Sequence, residues 1–497
     1  MPTRQLHLAQ AGPAEVADAL AALRAEVGLP AMFPAEVRDE AETSAADGGQ
    51  ALGDDGRQGR QDRRDVELVT IDPPGSMDLD QAVHVASSGR GYIVRYAIAD
   101  VAAFVQPGGA LDAETHRRGT TVYGPDVRTP LHPTVLSEGA ASLLPEEDRP
   151  AVLWTIGLDA DGEITSSSVT RATVRSRARL TYGEAQAQLD AGTAPDSLSL
   201  LADVGRLRQA RERDRGGVSL EVPEQEIVPQ ADGSFSLELR RTLPVEGWNA
   251  QISLLTGIAA AAMMREAGVG LLRTLPPADD RDIARLRRTA AALGIGWPDE
   301  VSYAQLVPTL ESRRPAHAAF LAEATSLFRG AGYLAFGVPG PDGGAPVALP
   351  ADARHAAIGA EYAHVTAPLR RLADRYATEV CLAHAASKEP PAWVTEALPA
   401  LPETMAAASR TAGAFERGCV DVVEAALLAG REGETFDGVV VDVRDGDKDG
   451  VRRGEVMLTE PAVRARLEGA DLPLGERVRA TLAEASVPDR RVLFTLR

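Results

Sequence analysis

Cysteine and lysine are nearly absent from this sequence of 497 residues. The only cysteines, Cys381 and Cys419, are too few for a disulfide framework or for a zinc or iron–sulfur site built from several thiolates. The only lysines are Lys388 and Lys448, so 50 of the 52 lysines and arginines are arginine. Because neither lysine follows a glycine, the chain has no Walker A loop, which excludes nucleotide hydrolysis of the P-loop type.

A long hydrophobic run is also missing. The most apolar stretch, residues 252–264, is interrupted by polar residues and is shorter than the roughly 20 residues that a membrane-spanning helix needs. The start of the chain lacks the apolar run of a signal peptide. With 44% hydrophobic and 25% charged residues, the composition is that of folded soluble domains. We therefore expect a cytoplasmic protein of about three domains that does not bind membranes.

The charge balance is acidic, with a formal net charge of −20 at pH 7. This value argues against a nucleic-acid partner, because proteins that bind phosphates usually carry a basic surface. However, 50 arginines are enough to line one channel while acidic residues cover the exterior. Carboxylates that bind a metal also add to the acidic total. The net charge therefore lowers the expectation of nucleic-acid binding without excluding it.

The first segment, residues 1–62, is predicted to be helical and then loosely structured. Residues 14–27 have the apolar spacing of a helix that ends at Gly28, and Pro34–Glu42 suggests a second helix. The following stretch, Thr43–Arg64, is rich in Gly, Asp, Gln and Arg, which is typical of a linker. A helix-turn-helix unit and a small helical cap are both compatible with this pattern.

The pattern changes to a mixture of strands and helices from Val66 to about Gly430. Alternating apolar residues predict three strands, Val66–Asp72, Gln81–Ala86 and Tyr92–Ile98. Helices are predicted at Asn249–Met264 and Pro368–Ala386, followed by two helices within Pro402–Gly430. This mixture is typical of an α+β fold.

The last segment, residues 431–497, is predicted to form a small closed β-barrel. Short strands are expected at Phe436–Val443, Arg453–Leu458, Arg477–Ala483 and Arg491–Leu496, with a turn and a short helix at Pro461–Leu467. This pattern suggests an OB-fold, which often binds single-stranded nucleic acid. Only Phe436 and Phe494 are available to stack on bases, so the barrel gives weak support for RNA binding.

The stretch Thr70–Ala82, T-I-D-P-P-G-S-M-D-L-D-Q-A, concentrates carboxylates around a turn. Asp72 ends a predicted strand, and Asp78 and Asp80 point to the same side because they are two residues apart in an extended segment. If the Pro-Pro-Gly turn brings Asp72 beside them, three converging carboxylates need a cation, and their hard oxygen atoms favour Mg²⁺ or Mn²⁺. Such a cluster suits metal-assisted phosphoryl chemistry. The alternative is a solvated acidic turn.

A second candidate is Glu361–Arg375, with the sequence E-Y-A-H-V-T-A-P-L-R-R-L-A-D-R. Thr366 is predicted to cap a helix that has Pro368 in its first turn. Arg370 would then project from a helix N-terminus, where backbone N–H groups and a guanidinium can hold a phosphate. The alternative is an ion pair between Arg370 and Asp374 on a solvated helix face.

Taken in their order along the chain, the motifs resemble those of the RNase II/RNase R family, the 3′→5′ exoribonucleases with an RNB domain. Besides the two motifs above, the shared stretches are Y-A-I-A-D at Tyr96–Asp100, R-R-G-T-T-V-Y-G-P-D-V-R-T-P-L-H-P at Arg117–Pro133, L-S-E-G-A-A-S-L at Leu136–Leu143 and R-D-R-G-G-V-S-L-E-V-P-E at Arg213–Glu224. The resemblance implies an RNB catalytic domain at residues 63–430 and an S1-type OB barrel at residues 431–497.

The resemblance implies that Asp72, Asp78 and Asp80 bind two Mg²⁺ ions, which Mn²⁺ can replace, or the attacking water. Asp80 stands where the family has its most critical aspartate, so the predicted catalytic residues are Asp78, Asp80 and Arg370. Gln81 occupies the position of the family's fourth aspartate. Its amide oxygen can still ligate a metal, but one negative charge is missing. We therefore expect weaker binding of one Mg²⁺ ion or a greater benefit from Mn²⁺.

The resemblance also implies contacts to RNA. Arg370 stands where the family holds the phosphates beside the scissile bond, Tyr123 where an aromatic ring stacks near the 3′ end, and Tyr182 where a tyrosine lines the channel. Thr366 and Arg371 complete the predicted RNA-binding set.

Three further departures from the family bear on RNA binding. Ala367 replaces the serine of the relatives' T-S-P, and the helix around Asn249 lacks a glutamate expected near the 3′-terminal sugar. Residues 1–62 leave no room for the family's two N-terminal cold-shock barrels, so we expect the C-terminal barrel and the channel to capture RNA.

We therefore expect a monomeric exoribonuclease that threads single-stranded RNA 3′ end first and hydrolyses it to nucleoside 5′-monophosphates with divalent ions. The main alternative is an RNA-binding pseudo-enzyme whose metal site is disabled by Gln81. A third hypothesis is an unrelated metal-dependent phosphoesterase that acts on small molecules. These hypotheses differ in product, in metal dependence and in the effect of Asp80→Asn.

Overall fold

The N-terminal segment begins with two helices, α1 (Pro13–Glu26) and α2 (Ala35–Ala46). The computed structural model of the chain describes residues 13–49, 59–219, 224–229, 235–240, 242–311, 314–340, 342–444, 451–458, 461 and 463–496. Both predicted N-terminal helices are confirmed. The second continues beyond Glu42 into the predicted linker, where the Ser44 hydroxyl donates a hydrogen bond of 2.7 Å to the carbonyl oxygen of Phe104.

A six-stranded sheet forms the centre of the next part of the chain. Its strands are β1 (Gln61–Asp62), β2 (Leu68–Asp72), β3 (Gln81–Ser88), β4 (Gly91–Ala99), β5 (Asp148–Leu158) and β6 (Ile164–Thr181). The neighbour order is β1-β6-β2-β3-β4-β5, and β5 also pairs with β6, so the sheet closes on itself. The three predicted strands correspond to β2, β3 and β4. Their buried side chains pack around Tyr96 and Trp154.

Helices and short strands surround this sheet. The helices are α3 (Ala110–Arg118), α4 (Tyr182–Asp190), α5 (Asp196–Asp214), α6 (Pro244–Ala267), α7 (Asp280–Ala292), α8 (Tyr303–Leu306), α9 (Pro315–Ala324), α10 (Leu372–Ala385), α11 (Ala392–Ala397) and α12 (Leu401–Leu428). Short 3₁₀ turns lie at Val101–Ala103, Val307–Thr309 and Thr325–Phe328, and a π-helical turn lies at Leu136–Ala140. Two antiparallel two-stranded sheets pair β7 (Glu224–Pro229) with β8 (Phe235–Arg240) and β9 (Gly270–Thr274) with β10 (Gly332–Phe336).

Helices α6 and α12 test two of the sequence predictions. The helix predicted at Asn249–Met264 lies within α6, which is buried over most of its length. The two helices predicted within Pro402–Gly430 are instead the single helix α12 of 28 residues. Gly418 lies inside α12 at a close contact with α1, where a Cβ atom would lie 2.8 Å from the side chain of Leu23.

The C-terminal segment is a closed five-stranded barrel, as predicted. Its strands are β11 (Thr435–Arg444), β12 (Arg452–Leu458), β13 (Arg464–Gly469), β14 (Arg477–Ser486) and β15 (Arg491–Leu496), in the order β11-β12-β13-β15-β14. The short helix predicted at Pro461–Leu467 is wrong, since β13 occupies most of that stretch. Ala465 and Leu467 alternate into the barrel core, and this period of two is that of a strand.

The two aromatic rings of the barrel are not available to bases. Phe436 and Phe494 are buried in the barrel core and contact each other edge to face at 5.6 Å between ring centroids. The expectation that they could stack on RNA is therefore wrong.

The two N-terminal helices pack against different parts of the molecule. Leu20 and Leu23 of α1 join a hydrophobic cluster that contains Phe415 of α12 and continues into the barrel core. Val37 and Ala41 of α2 belong to a second cluster beneath the central sheet. Among the residues that the structure describes, no helix is long and apolar enough to cross a membrane.

Gly257→Ala is expected to destabilise the fold. Helix α6 passes so close to the loop before α10 that a Cβ atom at Gly257 would lie 2.1 Å from the ring of Tyr362 and 2.5 Å from the carbonyl oxygen of Ala363. Overpacking of this kind costs about 1–3 kcal/mol, which a denaturant titration measures. Gly247→Ala in the same helix is the control. There the new Cβ meets only the flexible end of Gln209 at 3.1 Å, and equal losses for both variants would contradict the account.

Candidate active site

The predicted catalytic residues meet where β2 ends and β3 begins. Asp72 is the last residue of β2, and the chain then turns through Pro73 and Gly75, whose φ of 80° is accessible to glycine but unfavourable for other residues. The backbone N–H of Ser76 closes this turn by donating to the carbonyl oxygen of Pro73 at 3.2 Å. The turn returns the chain towards β3 and places Asp78 and Asp80 near Asp72.

Asp80 is the most buried of the three carboxylates, with 5% of the residue exposed. Its Oδ1 accepts a hydrogen bond of 2.8 Å from the backbone N–H of Leu369, and its Oδ2 lies 3.6 Å from Nε of Arg370. Burial raises the pKa of Asp80 to about 8, although the Arg370 guanidinium opposes the shift. Arg370 is thus the principal positive charge facing this carboxylate.

Asp78 has a different counter-charge. Its Oδ1 accepts a hydrogen bond of 2.8 Å from Nη1 of Arg128, and its Oδ2 accepts one of 3.2 Å from the hydroxyl of Tyr123. Arg128 also pairs with Glu138. Arg128 was not identified from the sequence as a site residue, although it lies in the motif at 117–133 that carries part of the family resemblance.

One carboxylate oxygen of Asp72 has no hydrogen-bond donor. Its Oδ2 is buried and receives no hydrogen bond. Burial raises the pKa of Asp72 to about 6, and the nearby charge of Asp78 adds to the increase. A buried, unpartnered carboxylate oxygen suits a hard divalent cation. Within the described ranges, however, no three His, Cys, Asp or Glu side chains already form a metal-binding cluster.

Gln81 also lies at the site, but its side chain is engaged by the protein. The amide Nε2 donates a hydrogen bond of 2.6 Å to the carbonyl oxygen of Thr366. The amide oxygen accepts from the hydroxyls of Tyr96 and Ser253. The metal-ligand role proposed from the sequence would compete with these contacts.

The loop before α10 differs from the sequence prediction. The helix begins at Leu372 instead of Pro368, and Thr366 does not cap it. The reason is a long-range contact: Arg371 has an extended backbone and forms an isolated β-bridge with Thr120. Before it, the backbone N–H groups of Arg370 and Arg371 both point to the carbonyl oxygen of Ala367 and form a tight turn.

Because of this turn, the guanidinium groups of Arg370 and Arg371 have different partners. The guanidinium of Arg371 donates two hydrogen bonds of 2.8 Å to Asp374, so the ion pair between Arg370 and Asp374 considered as an alternative does not form. The side chain of Arg370 is 49% exposed and faces Asp80. Thr366 is buried. Arg370 is therefore the arginine of this loop that remains open to a ligand.

Two tyrosines predicted to contact RNA lie near different carboxylates of the site. Tyr123 is 50% exposed while its hydroxyl reaches Asp78. Tyr182 is the first residue of α4, where burial and the charge of Asp72 raise the pKa of its hydroxyl. Asn249 of α6 is buried, and its amide donates a hydrogen bond of 3.4 Å to the carbonyl oxygen of Ile71 in β2. The cleft thus combines carboxylates, one open guanidinium and two aromatic rings.

Asp80→Asn is expected to stabilise the metal-free protein increasingly as the pH rises. Because the pKa of Asp80 is raised to about 8, the folded protein keeps a proton that the unfolded chain releases near pH 4. The folded wild type therefore loses stability relative to the unfolded chain as the pH rises from about 4 to 8, whereas Asn does not titrate. In EDTA, the melting temperature of the variant minus that of the wild type is expected to increase by roughly 2 °C or more from pH 5 to pH 8.5.

Asp352→Asn is the control for this measurement. A hydrogen bond from Arg354 lowers the pKa of Asp352 to about 2, so this group contributes no change in stability between pH 5 and 8.5. A difference in melting temperature between the wild type and Asp80→Asn that stays constant with pH would contradict the raised pKa of the buried Asp80.

Comparison with known protein families assigns both parts of the chain. Residues 60–385 match the RNB domain, and residues 434–497 match the C-terminal S1 domain of RNase II-type exonucleases. Ribonuclease R of Escherichia coli K12 is 28% identical over 338 residues, which cover 65% of this chain and 40% of that protein. The exosome complex exonuclease RRP44 homolog A of Arabidopsis thaliana is 32% identical over 247 residues, or 48% of this chain and 26% of that protein. The chain thus spans less than half the length of these relatives.

Solved structures show the same fold. The apo form of Mycoplasma genitalium RNase R superposes with a TM-score of 0.82 at 21% identity, covering 97% of this chain and 78% of that one. Yeast Ssd1, a pseudonuclease, superposes with a TM-score of 0.63 at 16% identity, covering 88% and 53%. The fold is therefore shared by proteins with and without nuclease activity. On the match of residues 60–385, the chain belongs to the RNB family and carries a C-terminal S1 domain of the RNase II type.

Proposed function

We propose that this protein is a hydrolytic exoribonuclease that degrades single-stranded RNA from the 3′ end and releases nucleoside 5′-monophosphates. The observation that carries the proposal is the half-exposed Arg370 guanidinium beside Asp80, in the same cleft as the unpartnered Oδ2 of Asp72. A guanidinium next to buried carboxylates can hold a phosphate while a cation occupies the carboxylates. The relatives named ribonuclease R and exosome exonuclease support the same class of reaction.

The proposed cofactor is a divalent cation, Mg²⁺ or Mn²⁺, held by Asp72, Asp78 and Asp80. When bound, such ions activate water and stabilise the leaving oxygen. The donors fit a hard cation because they are carboxylates, one oxygen of which is buried without a partner. For Asp78 to ligate, its carboxylate must exchange the hydrogen bonds from Arg128 and Tyr123 for the cation.

The chain's own residues then have distinct tasks. Arg370 is proposed to turn its fork-shaped guanidinium from Asp80 to the phosphate beside the scissile bond. Tyr123 and Tyr182 are proposed to stack against bases near the 3′ end. Thr366 and Arg371 are proposed to shape the loop that carries Arg370. Contacts to the 2′-hydroxyl would distinguish RNA from DNA.

The two rival functions have less support. An RNA-binding protein without catalysis would be expected to lose its carboxylates, yet Asp72, Asp78 and Asp80 are all present at one cleft. A phosphoesterase for small molecules would have no use for a C-terminal S1 domain.

Cleavage of 5′-labelled single-stranded RNA in Mg²⁺, in Mn²⁺ and in EDTA tests the proposal, with matched DNA as a control. We expect mononucleotide release down to a short limit oligomer, intact DNA, and no cleavage in EDTA. Asp80→Asn should bind RNA but leave it intact, because one of three proposed ligands is gone. RNA that stays uncut by the wild type in both metals would reject the proposal. Release of phosphate from free nucleotides alone would favour the small-molecule enzyme.

Arg370→Lys is expected to lower kcat/KM for RNA by about 100-fold or more, because lysine keeps the charge but cannot donate two parallel hydrogen bonds to a phosphate. Arg410→Lys is the matched control, since Arg410 pairs with Glu403 on the exposed surface of α12. Initial rates of mononucleotide release measure both variants. Equal rates for Arg370→Lys and the wild type would show that Arg370 does not hold the reacting phosphate.

A further inference from the structure

Gln81 connects four separate parts of the cleft. It is the first residue of β3, directly after Asp80. Its amide Nε2 donates to the carbonyl oxygen of Thr366 at 2.6 Å, and its amide oxygen accepts from Tyr96 in β4 and from Ser253 in α6, the latter at 3.4 Å. The hydroxyls of Tyr96 and Ser253 lie 2.9 Å apart, so the Ser253 proton can go either to Tyr96 or to the Gln81 amide oxygen. One side chain therefore ties the sheet and α6 to the loop that carries Arg370.

Only one orientation of the Gln81 amide satisfies these contacts. The carbonyl oxygen of Thr366 can only accept a hydrogen bond, so the group facing it must be the NH₂ group. A reversed amide would place two carbonyl oxygens against each other in a buried site. In the observed orientation the amide oxygen faces the hydroxyls of Tyr96 and Ser253, of which Tyr96 is the nearer donor. A cation at this oxygen would have to displace these hydroxyls.

An aspartate at position 81 could not make the same contacts. Its side chain is one methylene group shorter, and its carboxylate has no proton to donate to Thr366. A negative charge would face a carbonyl oxygen close to the buried Asp80, which is costly without a compensating cation. The neutral amide can therefore donate a hydrogen bond to Thr366 without adding a buried charge, whereas a carboxylate cannot.

The Thr366 contact fixes one end of a short, strongly bonded loop. Next in the chain, the N–H of Ala367 donates to Asp374 at 2.6 Å, and the N–H of Leu369 donates to Asp80 at 2.8 Å. Arg371 fixes the other end through Asp374. Arg370 lies between these anchors, so its approach to Asp80 depends on both ends of the loop.

We propose that Gln81 is a positioning residue and not a metal ligand. Its amide holds residues 366–371 in the shape that presents Arg370 to Asp80, and the site operates with three carboxylates. The inference rests on the proposed exoribonuclease function for its kinetic consequence, whereas its consequences for the loop and for metal binding do not depend on catalysis.

Two variants of Gln81 separate the two roles. Gln81→Met keeps the length of the side chain and removes every hydrogen bond of the amide, while Gln81→Glu replaces the donor with a carboxylate oxygen. Mn²⁺ affinity is measured by calorimetry, amide hydrogen exchange reports on residues 366–371, and steady-state kinetics on single-stranded RNA separates kcat from KM. Melting temperatures confirm that both variants fold.

For a positioning residue, Gln81→Met should lower kcat by about tenfold or more at saturating Mn²⁺ and change the Mn²⁺ dissociation constant by less than about twofold. Amide exchange at residues 366–371 should become faster. Gln81→Glu should lose activity similarly and should not bind Mn²⁺ more tightly. Tyr96→Phe, which removes one donor to the same amide, should slow catalysis less, and its effect should not add to that of Gln81→Met.

A ligand role would give the opposite pattern. Gln81→Met would weaken Mn²⁺ binding by about tenfold or more, and Gln81→Glu would strengthen it. Unchanged exchange at residues 366–371 in Gln81→Met would also overturn the inference. If the wild type does not cleave RNA, the proposed function fails by itself, and calorimetry and hydrogen exchange still decide the role of Gln81.

Discussion

The cleft depends on how buried negative charge is compensated. Moving a carboxylate out of water is costly unless a cation or several hydrogen bonds replace the lost solvent. Arg128 faces Asp78, whereas Arg370 and one backbone N–H only partly offset the burial of Asp80, whose pKa is raised to about 8. Asp72 has an oxygen with no partner. The unequal compensation explains why a divalent cation suits the site.

The rest of the fold serves to hold these charges at close range. The closed sheet sets the positions of β2 and β3, and the tight turn at Gly75 brings their ends together. Helix α6 approaches the opposite loop so closely that only a glycine fits at position 257. The hydrogen bonds of Gln81 complete this frame from within. A neutral residue at this position avoids a further buried charge.

Local patterns were enough to predict much of this architecture. Alternation of apolar residues identified β2, β3, β4 and four strands of the barrel, and the motif at 70–82 identified the carboxylates. Three errors have one cause, because tertiary contacts outweighed local signals. The bridge between Arg371 and Thr120 delays the start of α10, α12 runs on as one helix packed against α1, and burial of alternate residues makes β13 a strand.

Local patterns could not predict the contacts of the site that join residues far apart in the sequence. Asp80 and Leu369 are 289 positions apart, and Gln81 and Thr366 are 285 apart. The spacing of Arg370 and Asp374 suggested an ion pair between them. Because of the turn at Ala367, however, Asp374 pairs with Arg371, and Arg370 faces Asp80. Side-chain chemistry was thus readable from the sequence, whereas the pairing of charges was not.

The central claim is that a divalent cation binds among Asp72, Asp78 and Asp80, opposite Arg370. Iron-mediated cleavage of the polypeptide tests it most directly, because Fe²⁺ bound in place of Mg²⁺ reduces added hydrogen peroxide, with ascorbate as reductant, to hydroxyl radicals that cut the nearby backbone. Cuts are expected within residues 72–81 and 366–371, suppressed by excess Mg²⁺ and absent in Asp80→Asn. Cuts confined to other segments, or unchanged in that variant, would contradict the account.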